Sequence, residues 1–325
     1  MPAVPAVPVV PGVPAGLPAA VRVVEVGPRD GLQNEPGSIP VATRVELIER
    51  LAAAGLSMVE SGSFVSPKWV PQMAGTAEVL SGIARRPGVR YPVLVPNMKG
   101  FEAALAHQKA SGRPVEEIAV FSAASETFSQ KNTHCSIGEG LARFEAVARA
   151  ALAQGWQVRG YVSVAFGCPY EGEVDGARVL AVVQRLLDMG CYEVSIGDTT
   201  GVGTAGAVHR LFDRLSRAVP PARLAGHFHD TWGQALANAL AMFEHGVATV
   251  DASVAGLGGC PYSPGATGNV ATEDMVWMLH GLGIGTGIDF DLLVDAGCFI
   301  SAALGRPTGS RAARARLAQR ARAGG

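Results

Sequence analysis

Residues 157–197 read QVRGYVSVAFGCPYEGEVDGARVLAVVQRLLDMGCYEVSIG. Apolar and β-branched residues dominate 157–164 and 192–197, which predicts two strands. Between them, apolar residues recur at helical spacing over 174–189, which predicts a helix with one apolar face. The apolar positions of this helix are Val179, Val182, Val183, Leu186 and Leu187. A strand, a helix and a second strand in this order indicate a βαβ unit with parallel strands.

The same alternation of strand and helix runs through most of the chain. Further strands are predicted at 21–27, 57–62, 91–95, 117–122, 223–229 and 248–254. Further helices are predicted at 43–54, 72–85, 99–111, 138–154, 204–218, 231–245 and 272–280. Eight such units predict an α/β fold, a closed (β/α)8 TIM barrel whose chemistry gathers at the carboxyl ends of the strands. The alternative is an open doubly wound sheet, but none of the eight strands is short or charged enough for an edge.

The composition of the 325 residues fits one globular domain at 21–305, with 48% apolar and 17% charged residues. Residues 1–20 are apolar and interrupted by proline, so we expect a disordered tail rather than the helical part of a signal peptide. Residues 306–325 carry six arginines and no acid. We expect this segment to be an Arg-rich tail that ends in a solvated helix.

Charge, hydropathy and cysteine usage limit the partners. The net charge of −1 provides no global field toward nucleic acid or an anionic membrane. No apolar run reaches the roughly 18 to 20 residues needed to cross a bilayer. The five cysteines are widely spaced and form no CxxC pair, which argues against a disulfide framework. We therefore expect a cytoplasmic protein with neither nucleic-acid nor membrane partners.

Two histidines end the seventh predicted strand. His227 and His229 are two residues apart, so their side chains lie on the same face of that strand. Asp30 follows the first strand, and Asn269 ends the loop after the eighth. Strands one, seven and eight are neighbours in a closed barrel, so these four side chains are candidate ligands of one divalent metal ion. The alternatives are a hydrogen-bonded histidine pair without a metal and a surface turn at Asp30.

Other reactive side chains fall at the same rim. Arg29 could hold a carbonyl or enolate oxygen through its fork of donors. Glu60 ends the second strand, where we expect it to position Arg29 or a metal-bound water, and Asp198 ends the sixth. Cys260 lies in a Gly-rich loop after the eighth strand and is a candidate acid or base. A structural ion pair at Glu60 and an incidental thiol at Cys260 are the alternatives.

Substrate contacts are harder to assign. Gln33 follows Asp30 in the same loop and is either a contact or a solvated side chain. Ser63 is a weaker candidate, and Glu273 could serve the rim. The segment 201–203 superficially suggests a dinucleotide loop but lacks the third glycine of that motif, so no nucleotide cofactor is expected.

Three segments closely resemble the 3-hydroxy-3-methylglutaryl-CoA lyase family, namely 27–35, 63–73 and 255–269. The similarity extends over about residues 21 to 305. It implies a metal-dependent TIM barrel with Mg2+ or Mn2+ and an acyl-CoA substrate. The implied reaction is a retro-Claisen cleavage that yields acetoacetate and acetyl-CoA.

The resemblance also implies roles for single residues. Asp30, His227, His229 and Asn269 match the metal ligands of the family. Arg29 matches its enolate-stabilising arginine, Cys260 matches its loop cysteine, and Glu60, Asp198 and Glu273 match its supporting acids. Phe228 lies between the two histidines, where we expect its ring to point away from the metal.

Three other functions stay open at this stage. One is a Claisen-condensing synthase of the isopropylmalate or homocitrate type, and another is a lyase for a longer branched 3-hydroxyacyl-CoA. The third is a catalytically inactive barrel that acts as a scaffold. We also expect a homodimer.

Overall fold

The computed structural model describes residues 12–259 and 268–323. Its strands are Arg22–Glu25 (β1), Gly62–Ser63 (β2), Val93–Leu94 (β3), Glu117–Ala123 (β4), Gln157–Ser163 (β5), Glu193–Asp198 (β6), Leu224–Phe228 (β7) and Thr249–Ala252 (β8). The pairs are parallel, in the order β1-β8-β7-β6-β5-β4-β3-β2. The barrel closes where the Glu25 N–H donates to the Met58 carbonyl at 3.0 Å and the Glu60 N–H donates to the Glu25 carbonyl at 2.8 Å. The predicted (β/α)8 barrel is confirmed.

Helices surround the strands. They are Val41–Ala53 (α1), Thr76–Gly82 (α2), Met98–Ser111 (α3), Glu126–Thr133 (α4), Ile137–Ala153 (α5), Gly176–Asp188 (α6), Ala205–Ser216 (α7), Ala235–Phe243 (α8), Thr272–Gly281 (α9), Phe290–Ala303 (α10) and Arg311–Ala323 (α11). Every predicted helix overlaps one of these, α11 lies in the segment where a solvated helix was expected, and α4 and α10 are additional. No helix within the described ranges is long and apolar enough to cross a membrane.

Helix α6 shows why the predicted spacing leads to this packing. Val179, Val183 and Leu186 form one stripe of the helix and are fully buried against the sheet. Its first turn is capped by Asp175, whose Oδ1 accepts a hydrogen bond from the Ala177 N–H at 2.8 Å. The apolar stripe fixes which face meets the barrel, and the cap fixes where the helix begins.

Both predicted tails contain residues that contact the barrel. Ala20 forms an isolated parallel bridge with Gly285, which lies between α9 and α10. Helix α11 packs against α10, with Ala313 buried and the Arg316 guanidinium donating to the Asp291 carboxylate at 2.7 Å. The Arg-rich segment is therefore held to the barrel by ion pairs along α11.

Candidate metal centre

Asp30, His227 and His229 meet at the carboxyl ends of β1 and β7. Each offers one ligand atom, and these atoms lie within 4.8 Å of one another. The two histidines share the inner face of β7, while Phe228 between them is buried on the outer side, its ring centroid 6.0 Å from that of Phe166. The ring thus points away from the cluster, as expected from the alternation of side chains along a strand.

Asn269 joins the same cluster from the loop after β8. Its side-chain N–H groups donate to Asp30 Oδ2 at 2.9 Å and to the Leu257 carbonyl at 3.2 Å. Its backbone forms an isolated bridge with His229. The four side chains predicted as metal ligands therefore lie together, although they come from distant parts of the chain.

The donor set fits a divalent cation. The His229 Nδ1 atom is buried and has no hydrogen-bond partner among the described residues. The His227 Nδ1 atom is bonded to Asp251, which leaves Nε2 facing Asp30 Oδ2 at 4.0 Å. Two imidazoles, one carboxylate and one amide are ligand types that divalent metals accept.

Neighbouring charges keep the Asp30 carboxylate ionised. Burial alone would raise its pKa, but Arg29, the two histidines and the Asn269 amide outweigh burial and lower the pKa to about 2. Burial and the neighbouring His227 lower the pKa of His229 to about 4. A charged carboxylate and a neutral imidazole are the forms that bind a metal.

Arg29 is held beside this cluster by two acids. Its Nε donates to Glu60 Oε2 at 2.8 Å, and its Nη1 donates to Asp30 Oδ1 at 2.7 Å. Its guanidinium carbon lies 5.7 Å from the centre of the Tyr161 ring. Burial raises the pKa of Glu60, although the adjacent Arg29 opposes this shift. The guanidinium therefore has a fixed position within the barrel mouth.

A cavity of about 230 Å³ opens onto Arg29 and the cluster. Gln33 lines it, together with the apolar side chains Leu94, Phe121 and Phe128. Cys260, predicted as the acid or base of the loop, lies outside the described residues.

Five predicted site residues do not line this cavity among the described residues. Two of them, Glu60 and Asn269, contact residues that do line it, as described above. Asp198 is buried, accepts a hydrogen bond from the Gly203 N–H at 3.0 Å, and has its pKa raised by burial to about 6. Ser63 is buried, with its backbone bonded to the Thr76 hydroxyl. Glu273 accepts from the Ala255 N–H at 2.9 and 3.1 Å, and burial raises its pKa to about 8. The positions of Ser63 and Glu273 do not support direct contact with a substrate.

Buried charged residues that the sequence analysis did not select support the site. Asp251 on β8 bonds His227, and Arg159 on β5 bonds both Asp251 and Glu193 at 2.8 Å. Glu25 accepts from the Gly27 N–H at 2.7 Å and so holds the turn that carries Arg29 and Asp30. The sequence feature that could have identified these residues is a charged side chain inside an otherwise apolar strand. Such a side chain is buried and therefore needs a polar partner.

Comparison with known proteins is consistent with this arrangement. The family model described as HMGL-like matches residues 20–300. The chain belongs to the HMGL-like family. This HMGL-like chain is 60% identical over 303 residues to the 3-hydroxy-3-isohexenylglutaryl-CoA/hydroxy-methylglutaryl-CoA lyase of Pseudomonas aeruginosa, covering 93% of this chain and 99% of that protein. The resemblance noted in the sequence is confirmed.

Solved structures agree with the family assignment. A crystal structure of hydroxymethylglutaryl-CoA lyase from Pseudomonas aeruginosa superposes with a TM-score of 0.90 at 59% identity, covering 94% of this chain and 99% of that one. An HMG-CoA lyase from Acinetobacter baumannii, in complex with coenzyme A and 3-methylmalate, superposes with a TM-score of 0.85 at 36% identity. This second match covers 91% of the HMGL-like chain and 95% of the other.

The two described ends of the Gly-rich loop meet at Asn269. Gly258 has a φ of +124°, and a Cβ there would lie 2.7 Å from the Asn269 side-chain nitrogen. A Cβ on Gly268 would lie 2.4 Å from the Gly258 carbonyl oxygen. Both positions therefore require glycine, because a side chain would displace either the amide or the backbone.

Proposed function

We propose that this chain cleaves 3-hydroxy-3-methylglutaryl-CoA to acetoacetate and acetyl-CoA, as a carbon–carbon lyase. The observation that carries the proposal is the shared cavity of Arg29 and the Asp30, His227 and His229 cluster. The high identity to a named lyase over nearly the full length supports the same reaction. The names of the matched relatives do not favour a condensing synthase or a scaffold.

Asp30, His227, His229 and Asn269 would hold Mg2+ or Mn2+. When bound, such a cation supplies Lewis-acid polarisation of the hydroxyl and carbonyl oxygens of the substrate. Mg2+ and Mn2+ are proposed because the set includes carboxylate and amide oxygens, which suit these harder ions.

Arg29 stabilises negative charge on the thioester oxygen of the substrate. Breaking the C2–C3 bond leaves an enolate of acetyl-CoA, and the guanidinium, already oriented by Glu60, donates hydrogen bonds to its oxygen. Cys260 donates the proton that the C2 carbon then requires. The base that removes the C3 hydroxyl proton is either Asp30 or a water beside the histidines.

The direct test is release of acetoacetate from 3-hydroxy-3-methylglutaryl-CoA. We expect turnover with Mg2+ or Mn2+, its loss after chelation with EDTA, and its recovery when the ion is returned. Incubation with a 2-oxo acid and acetyl-CoA, followed by thiol release, tests the condensing alternative. The proposal would be overturned if the 2-oxo acid and acetyl-CoA gave thiol release while 3-hydroxy-3-methylglutaryl-CoA gave no acetoacetate.

A longer branched substrate is a second candidate. The name of the Pseudomonas aeruginosa relative also includes 3-hydroxy-3-isohexenylglutaryl-CoA, which has a longer branch. In this chain, Leu94, Phe121 and Phe128 give the cavity an apolar side, where a longer alkyl branch on C3 would bury its surface. Phe121 also borders a smaller second cavity between α4 and α5, and its ring packs 5.1 Å from that of Phe144.

Replacing Phe121 with alanine should favour the longer branch, because the truncation joins the two cavities. We expect the ratio of kcat/KM for the isohexenyl substrate to that for 3-hydroxy-3-methylglutaryl-CoA to rise about tenfold. Leu94→Ala is the matched control, since Leu94 lines only the first cavity, and it should raise the ratio less. An unchanged ratio in Phe121→Ala would show that this side of the cavity does not hold the branch.

An acyl-CoA is the small-molecule partner, and a homodimer is the proposed assembly. A cytoplasmic location is proposed from the absence of a disulfide-like cysteine pattern in the sequence.

A further inference from the structure

Asp251 faces His227 from the neighbouring strand. The two residues are opposite each other in the register of β7 and β8, and Asp251 is 1% exposed. Asp251 Oδ2 lies 3.2 Å from His227 Nδ1, which is the ring nitrogen directed away from Asp30. Asp251 therefore contacts His227 on the side opposite to the metal cluster.

Arg159 fixes the orientation of this carboxylate, to which Ser195 also donates. Arg159 donates from Nη2 to Asp251 Oδ1 at 2.8 Å, and Ser195 donates its hydroxyl to Oδ2 at 2.7 Å. Arg159 is itself 1% exposed and is held by Glu193 and by the Tyr161 hydroxyl, each at 2.8 Å. The buried Arg159 guanidinium forms an ion pair with Asp251 at 2.8 Å, so this group is a carboxylate.

An ionised carboxylate only accepts hydrogen bonds. The His227 Nδ1 atom must therefore carry the hydrogen of this contact, and Nε2 keeps its lone pair on the side of Asp30. A neutral imidazole binds a metal through the nitrogen that carries no hydrogen. The contact with Asp251 thus decides which nitrogen of His227 is available.

We infer that Asp251 is a positioning residue that holds His227 in the Nδ1–H tautomer and thereby sets the affinity of the centre for its cation. Arg159 acts through Asp251 by holding its other oxygen. The inference rests on the metal centre of the proposed function and is independent of which acyl-CoA is cleaved.

The substitution Asp251→Asn tests this role with a side chain of the same shape. Arg159 still requires an acceptor, so the amide oxygen stays on its side and the amide NH2 faces His227. An NH2 group can only donate, which favours the opposite tautomer, with the hydrogen on Nε2. We expect the affinity for Mn2+, measured by calorimetry, to fall on the order of 10- to 100-fold.

Ser195→Ala is the matched control. It removes the second donor to the same Asp251 oxygen and leaves the contacts with Arg159 and His227 in place, so it should change Mn2+ affinity little. Wild-type protein that does not bind Mn2+ would contradict the metal centre itself. Wild-type protein that binds, with Asp251→Asn binding equally well, would overturn the present inference alone.

The tautomer is a second readout that does not depend on activity. In ion-free protein labelled with 15N-histidine at pH 9, the His227 resonances are assigned by their loss in His227→Gln. The wild type should show Nδ1–H, and Asp251→Asn should show Nε2–H. Nε2–H in the wild type would overturn the inference, and this spectrum decides the matter even if the asparagine variant does not fold.

Discussion

Replacing Arg29 with glutamine should lower kcat on the order of 10²- to 10³-fold, because the enolate oxygen loses its charged donor. The guanidinium is the cation in the cavity that Glu60 and Asp30 hold in place, and glutamine keeps a polar group there without the charge. Acetoacetate release under saturating substrate measures the effect. Turnover close to that of the wild type would contradict the assigned role.

Stability must be separated from chemistry in this variant. Arg29→Gln leaves the buried Glu60 without its partner, which should lower the Tm. The double variant Arg29→Gln/Glu60→Gln removes the unpaired acid, so its Tm should recover while kcat stays low. Recovery of kcat together with Tm would indicate that Arg29 serves the fold and not the reaction.

Replacing Cys260 with alanine should lower turnover on the order of 10²- to 10⁴-fold, the range of a lost acid or base. The basis is the sequence, where the thiol stands in the Gly-rich loop that begins and ends beside Asn269. Exchange of the methyl protons of acetyl-CoA in D2O isolates the step. The wild type should exchange them, whereas Cys260→Ala should not.

Cys298→Ala is the matched control for the thiol. Cys298 is half-buried on α10, outside the residues that line the cavity, and its removal should leave turnover and exchange as in the wild type. Equal rates of proton exchange in Cys260→Ala and wild type would exclude the thiol as the proton donor.

The arrangement of the barrel could be predicted from the sequence because its signals are local. The alternation of apolar runs with amphipathic stretches predicted eight β/α units. In a closed barrel of eight strands, the ends of strands one, seven and eight are neighbours. Strand two was less accurate: residues 57–62 were predicted, but regular pairing covers Gly62–Ser63. Met58 and Val59 form only isolated bridges, with Arg90 on one side and Glu25 on the other.

The buried polar partners could not be predicted in the same way. Asp251 and Arg159 are 92 positions apart, and their contact depends on how the strands are staggered around the barrel. Glu273 stands in the first turn of α9, and the direction of that helix turns its carboxylate toward the Ala255 N–H and away from the cavity. Such contacts follow from three-dimensional packing and leave little trace in spacing along the chain.

The close approach of Gly258 to Gly268 has a consequence for how this protein can change over time. Since the chain leaves and returns at almost the same point, insertions or deletions between these glycines alter the loop's length without pulling on Asn269. Substitutions of Gly258 or Gly268 are not tolerated in the same way, because a side chain there would displace the amide or the backbone. A change in the length of the loop is thus separated from the position of the Asn269 amide.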